Sequence, residues 1–376
     1  MTDDAAVLLL HEKEDAYGIE KGCSRYVRWL LKQQGYDVIG VTMQIWQEEE
    51  DEIVEENGGC CGLSAVDDAR RVAERIGIPY YVMNFREVFR EKVIDNFVSE
   101  YEKGRTPNPC IVCNRYVKWE ALLEKALALG ADYIATGHYA RIVHLPNGRY
   151  AIEKAAFDRK DQTYALYNLN QHQLAHTLMP VGAYDKSEVR RIAGEIGLSV
   201  ANKMDSQDIC FVSDGNYQAF IEDYTGKKLP EGDFVDKNGK VLGHHRGIGA
   251  YTIGQRKGLN LAMGHPVFVT GINPEENKII IGENDELFQR ALYASNVNLM
   301  SRASLDEPVR LTAKIRYAHK AAPCIARQLP DGSLYVCFDE PQRAITPGQA
   351  VVLYDGDLVA GGGIIEKIAP ELDDAS

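Results

Sequence analysis

Cys110 and Cys113 form a C-x-x-C within Thr106-Pro107-Asn108-Pro109-Cys110-Ile111-Val112-Cys113-Asn114. Thiols at this spacing have three common uses. They can supply half of a zinc site, but that needs a second ligand pair, and Cys23, Cys60, Cys61, Cys210, Cys324 and Cys337 offer no other C-x-x-C. They can be structural thiols. They can also be reactive, here on a loop stiffened by two prolines and followed by a helix, Arg115–Leu129, whose N-terminus lowers a thiol's pKa and so increases the thiolate. No metal site is expected. Cys60 and Cys61, after Gly58-Gly59, are adjacent and read as a loop feature. Cys23, Cys324 and Cys337 read as structural. In a chain of this size and expected compartment, eight cysteines are not a disulfide scaffold.

The elements that would position such thiols alternate through the first half. Ala6–Leu10, Val38–Met43, Tyr80–Asn84 and Asp132–Thr136 read as strands. Ser24–Gln34, Ser64–Ile76, Val88–Lys103 and Trp119–Leu129 read as helices. This βαβα order implies a parallel sheet covered by helices. From about Phe234 turn signals such as Lys237-Asn238-Gly239 and Pro330-Asp331-Gly332 separate short runs, among them Lys278–Ile281, Val309–Ile315, Leu334–Phe338 and Ala350–Leu353. That spacing predicts small β-domains or a barrel.

A nucleotide-binding α/β domain needs a Gly-rich turn after its first strand, because bare backbone amides and a helix N-terminus hold the phosphates. The place for it is His11–Cys23. That segment has two isolated glycines, Gly18 and Gly22, and sets Glu12, Glu14, Asp15 and Glu20 where a polyanion would sit, with Lys13 and Lys21 as partial offsets. Judged alone, it is a surface loop.

Net charge is −13, which weighs mildly against a nucleic-acid partner. Much of the acid is concentrated in Glu48–Glu56 and the C-terminal tail, however, so a basic face elsewhere remains open. No apolar run approaches the roughly 20 residues of a membrane helix, and the start is acidic rather than signal-like. A cytoplasmic location without membrane association is the expectation.

Several longer motifs then add a resemblance. Gly104–Trp119, Ala135-Thr136-Gly137-His138-Tyr139, Lys160-Asp161-Gln162, Asp205–Val212, Tyr251–Leu259, Arg316-Tyr317, Thr346–Gln349 and Gly361–Ile365 occur in the order found in the bacterial tRNA-specific 2-thiouridylase family, which the chain resembles from about Gln33 to Pro370. The resemblance implies an α/β, parallel-sheet, adenine-nucleotide-hydrolase-like domain of PP-loop type (1–205). A central small β-domain (206–275), a C-terminal β-barrel (276–370) and an acidic tail (371–376) follow it. It also implies ATP-dependent 2-thiolation of the wobble uridine in tRNA, with ATP and Mg²⁺. The sulfur would come from a cysteine desulfurase or a relay protein. By position, Cys113 resembles the nucleophile and Cys210 the persulfide carrier, two groups that can pair as a disulfide in the resting family enzyme. Met43 and Gly137 match adenosine-binding positions. Asn108, Pro109 and Cys110 match the target-base contact, where some members carry Asp in place of Cys110. His138, Lys160, Asp161, Gln162, Arg316, Tyr317 and Gln349 match tRNA contacts.

The sequence departs from the family at one place. The expected Ser-Gly-Gly-x-Asp-Ser loop is absent; Ile19-Glu20-Lys21-Gly22-Cys23-Ser24 is the nearest stretch, in a segment several residues longer than usual. Loss of that loop would impair adenylation while sparing the thiols. Two alternatives stay open beside an active enzyme: a non-catalytic tRNA-binding protein, and an ATP-independent persulfide carrier.

Overall fold

Short apolar runs separated by amphipathic helices form strands that lie side by side in one direction. The structure, a computed structural model, describes residues 6–11, 27, 29–45, 63–156, 161–184, 191, 209–212 and 215–371. Strands β1 (Ala6–His11), β2 (Asp37–Gln44), β3 (Tyr80–Asn84) and β4 (Tyr133–Ala135) are followed by an antiparallel hairpin of β5 (Ala140–His144) and β6 (Tyr150–Lys154), then β7 (Thr177–Leu178). The main sheet has the order β3-β2-β1-β4-β7, every pairing parallel. Parallel neighbours need crossover connections, and helices in those crossovers shield the sheet. Helix α1 (Leu63–Ile76) shows the pattern: Val66, Ala69, Val72 and Ala73 are buried at helical spacing, whereas Asp67, Arg70, Arg71 and Glu74 are exposed. Val7, Leu8, Val38, Val41, Ile134 and Ala135 fill the sheet interior. The expected parallel α/β layer is therefore present.

The described residues form two compact units. The first takes in those up to Ile94, Pro109–Gly215 and Asp357–Val359; the second takes in Asp95–Asn108, Asn216–Gly356 and the residues from Ala360. In the first unit, α2 (Arg86–Phe89) continues as a π-helical stretch, Arg90–Ile94. The second unit begins with α3 (Asp95–Glu102).

The helix expected to begin at Arg115 or Trp119 begins earlier. α4 (Pro109–Cys113) runs directly into a π-helical stretch, Asn114–Leu122, and then α5 (Leu123–Ala128). The C-x-x-C thus lies in the helix rather than on a loop before it. The physical reason is Pro109, whose fixed φ and missing N–H suit the first helical position. The residue read as a loop stiffener is a helix starter. Helix α6 (Gln171–Ala175) opens with a capping box in which the Asn170 side chain accepts from Gln173 N and the Gln173 side chain accepts from Asn170 N.

The second unit is mostly β. Helix α7 (Tyr217–Thr225) precedes a four-stranded sheet of order β10-β11-β8-β9, made of β8 (Gly232–Val235), β9 (Val241–His245), β10 (Phe268–Asn273) and β11 (Lys278–Gly282). Phe234, Tyr251, Val269, Ile279 and Ile281 form its core. Six strands follow: β12 (Phe288–Leu299), β13 (Val309–Lys314), β14 (Ala322–Gln328), β15 (Leu334–Arg343), β16 (Ala350–Asp355) and β17 (Leu358–Ile368). Their order is β12-β15-β14-β13-β16-β17, and a β12–β17 pairing closes the barrel, leaving no open edge. Cys324 and Cys337 lie buried in this barrel, and burial pushes the Cys324 thiol up to about 12, which makes it unreactive.

Candidate active site

In an open parallel sheet, ligands bind beyond the carboxyl ends of the strands, where the strand order reverses. Here that point lies between β1 and β4, since β2 and β3 extend to one side of β1, and β4 and β7 to the other. Met43 sits near the carboxyl end of β2, buried, and Gly137 lies two residues beyond β4, also buried. The two adenosine candidates therefore flank the carboxyl end of β1, at His11. The segment leaving that end, which carries the acidic residues, lies outside the described residues beyond His11. So do Cys23, Cys60, Cys61, Lys160 and the first residues of the second cysteine motif, Asp205–Asp208.

Buried neutral hydrogen bonds fasten the C-x-x-C helix. Asn114 Nδ2 donates to Ala165 O at 3.0 Å, and Asn168 Nδ2 donates to Ile111 O at 3.3 Å. Trp119 Nε1 donates to Thr177 Oγ1 at 2.8 Å, while Gln173 Nε2 donates to Trp119 O at 2.8 Å. The last bond satisfies a carbonyl inside the π-helical stretch, where the i→i−4 pattern is interrupted. His138 is buried with its ring 5.4 Å from the Trp119 ring, and its Nδ1 is 2.8 Å from Thr136 Oγ1. Gln162 is fully buried and accepts from Tyr139 N at 2.7 Å. Asp161 accepts from Thr163 N and Oγ1 at 3.2 and 2.9 Å. In this structure His138 and Gln162 thus form part of the support for the loop after β4.

Cys113 and Cys210 lie 97 residues apart in sequence, yet both motifs are anchored on the same helical stretch. α4 packs against Arg90–Ile94. Phe211, next to Cys210, is buried, with its ring edge-on to Phe89 at 5.7 Å, one residue before that stretch. Cys210 is exposed, and Cys110 and Cys113 are half-buried. No disulfide joins the described cysteines. Two cationic side chains meet the Tyr116 ring, three residues after Cys113: Arg115 at 5.1 Å and Lys92 Nζ at 5.8 Å. Among the described residues no group of three or more His, Cys, Asp or Glu could hold a metal ion.

The second unit gathers another set. Gln349 Nε2 donates to Thr106 O at 2.9 Å and to Pro107 O at 3.4 Å, so its amide lies against the residues just before Asn108. Arg316 Nη1 donates to Arg343 O at 3.3 Å, at the start of the turn that leads to Gln349. Arg316, Tyr317 and Gln349 are half-buried. Sequence reasoning overlooked Arg105 and Glu366, whose ion pair joins this set. A charged residue inside the Gly104–Asn108 motif was the available signal.

An α/β domain with a ligand edge at β1 and β4, followed by two β-domains, is the class these features define. Family models match in the same order. A model described as tRNA methyl transferase HUP domain covers residues 21–214, tRNA methyl transferase PRC-barrel domain covers 218–283, and aminomethyltransferase beta-barrel domain covers 289–365. The tRNA-specific 2-thiouridylase MnmA of Lachnoclostridium phytofermentans is 61% identical over 350 residues, 93% of this chain and 97% of its own. That of Clostridioides difficile is 55% identical over 351 residues, 93% and 96%. The Acetivibrio thermocellus protein of the same name is 55% identical over 338 residues, 90% and 94%. The chain belongs to the tRNA-specific 2-thiouridylase family. No described helix is long and apolar enough to cross a membrane.

Proposed function

We propose that this chain is a tRNA-uridine 2-sulfurtransferase that replaces the 2-oxygen of the anticodon wobble uridine with sulfur at the expense of ATP. The observation that carries this reading is the anchoring of both cysteine motifs on the stretch from Phe89 to Ile94, which follows the carboxyl end of β3. A methyl transfer, which the words of the family models would suggest, has no use for two such thiols. A sulfur relay needs both.

A ring carbonyl oxygen is a poor leaving group. Attack of that oxygen on the α-phosphorus of ATP releases pyrophosphate and leaves AMP on the oxygen. The terminal sulfur of a Cys210 persulfide then attacks C2, and AMP departs with the original oxygen. Cys113 thiolate attacks the Cys210 sulfur, which breaks the S–S bond, frees 2-thiouridine and leaves a Cys113–Cys210 disulfide. An external thiol reductant reopens it, and a desulfurase or relay protein reloads Cys210. By the family match Asn108, Pro109 and Cys110 are the base contacts, and His138, Lys160, Asp161, Gln162, Arg316, Tyr317 and Gln349 the tRNA contacts; burial of His138 and Gln162 gives those two a share in holding the loop after β4 as well. Met43 and Gly137 fit an adenosine at the edge of the sheet. Mg²⁺, when bound with the nucleotide, would neutralise the phosphates and ease departure of pyrophosphate. The domain division 1–205, 206–275, 276–370 with tail 371–376 is part of this reading, as is a cytoplasmic setting.

The segment His11–Cys23 favours a second reading. Its acidic residues oppose phosphate binding, and on that reading the chain has lost adenylation while keeping tRNA binding or persulfide transfer. One experiment separates the two readings: ATP-dependent formation of 2-thiouridine on unmodified tRNA, with a persulfide donor, for this chain and for a version carrying Ser-Gly-Gly-x-Asp-Ser after β1. Product from the chain as it stands supports the active enzyme. Product from the restored version alone supports the impaired one. Product from neither overturns the thiolation reading.

A further inference from the structure

Helix α3 ends at Gly104 in a Schellman arrangement: Arg105 N donates to Glu100 O at 2.9 Å and Gly104 N donates to Tyr101 O at 3.0 Å. Gly104 has φ +68°, the left-handed conformation this cap requires. The helix itself is held by Phe97 and Tyr101, whose rings meet Tyr217 and Phe220 of α7. The cap turns the Arg105 side chain back toward Glu100, and its Nε donates to Glu100 Oε2 at 2.6 Å. The other face of the guanidinium grips β17: Nη1 donates to Glu366 Oε2 at 2.6 Å, and Nη2 to Glu366 Oε1 at 3.3 Å and Ile365 O at 3.4 Å. Ser295 Oγ donates to the same Glu366 carboxylate from β12.

The contacts continue around a closed ring. Ile365 O accepts from Gly348 N at 2.9 Å, and Ile365 N donates to Gln349 O at 2.8 Å. Thr106 N donates to Pro347 O at 2.9 Å, and Gln349 Nε2 returns to Thr106 O. Thr106 Oγ1 also lies 3.2 Å from Thr252 Oγ1. Residues 104–108 carry no regular secondary structure, yet contacts from α3, β17, the 347–349 turn and Thr252 converge on them immediately before Asn108.

We propose that Arg105 is a positioning residue for the target-base segment, joining the end of α3 to β17 so that Thr106–Asn108 is held in one conformation for the wobble uridine. This rests on the thiolation reading above. Arginine is specified by geometry: one planar fork meets two carboxylates and a carbonyl at once, whereas a lysine ammonium is a single point that cannot span them. Burial alone would raise the Glu366 carboxyl, but hydrogen bonds from Arg105 and Ser295 outweigh it and hold it below the usual carboxylate range.

The test uses the full chain with Arg105→Gln, Arg105→Lys and Glu366→Gln. Two readouts are taken: hydrogen exchange at the Thr106 amide, and the binding ratio of two tRNAs that differ only in carrying U or C at the wobble position. With Arg105→Gln, exchange at Thr106 is expected to rise by at least about tenfold while amides in β13 and β14 keep their protection. The preference for the U-bearing tRNA is expected to fall on the order of tenfold. Arg105→Lys is expected to restore neither, and Glu366→Gln to reproduce both, which also covers the case of an unstable Arg105→Gln. Unchanged exchange at Thr106, or a kept preference, overturns the inference. A wild-type protein that binds both tRNAs alike overturns the inference that this segment reads the base, whereas the absence of 2-thiouridine product overturns the thiolation reading on which it rests.

Discussion

The C-x-x-C helix in the first unit and the Gly104–Asn108 segment in the second are both held by polar side chains, but by opposite chemistry. Asn114, Asn168, Trp119 and Gln173 fasten the helix through buried, neutral hydrogen bonds. Arg105, Glu100 and Glu366 fasten the segment through charge, with side-chain exposures of 19, 17 and 37%. A neutral buried bond contributes little net free energy but is costly to leave half-made, about 1–3 kcal/mol for an orphaned group. Charged bonds reached by solvent are weakened by salt and by protonation. The helix should therefore be insensitive to salt and pH, whereas the segment should loosen as salt rises or pH falls.

The largest effect should come from Trp119. Trp119→Ala removes a fully buried side chain together with its bond to Thr177, and should cost about 3–5 kcal/mol, read as a loss of unfolding free energy in denaturant titration. An effect below about 1 kcal/mol would show that the helix is not fastened there.

Gly348→Ala sharpens the other side. Gly348 has φ +91°, and a Cβ there would lie 2.9 Å from both Thr106 N and Thr106 O. Strain and clash together should cost about 1–3 kcal/mol, seen as a lower Tm together with faster exchange at Thr106. A neutral result would mean that the segment yields freely. Gln173→Ala should cost about 1–3 kcal/mol by orphaning Trp119 O, and raising salt from 0.05 to roughly 0.5 M, beyond one Debye length of screening, should not change that cost.

The smallest effect distinguishes the two by pH. Glu366 is held below the usual carboxylate range in the folded chain. Its contribution is thus fully present above that range and is lost as pH falls through the lowered value. Between pH 6 and 3 the wild type should lose more Tm than Glu366→Gln. Equal losses would remove the carboxylate from the account. Alkylation followed by mass spectrometry gives an independent check on the cysteines: exposed Cys210 should react before Cys324, which is buried and has its thiol raised to about 12.

The strands were legible because apolar runs carry their own period. Tyr80–Asn84 was placed residue for residue, and Lys278, Val309, Leu334 and Ala350 each open an observed strand. The start of the C-x-x-C helix was missed because a proline followed by apolar residues fits a stiff loop as well as a first helical turn. Helix α7 was missed although Asn216 at its cap, aromatic residues at 217, 220 and 224, and Gly226 in the left-handed conformation were available signals. In a region otherwise rich in turns, those signals did not stand out.

The sequence by itself determined the family, the two cysteine motifs and the order of an α/β domain before two β-domains, because local pattern and long motifs are properties of neighbours in the chain. Tertiary structure decided what each motif leans on. It buried Gln162 and His138 behind the loop after β4, anchored Phe211 on Phe89, and set Arg105 between Glu100 and Glu366, 261 residues from the latter. No local period encodes such pairings. They arise only when sheet order and barrel closure bring distant backbone together and leave a polar group one set of partners to satisfy.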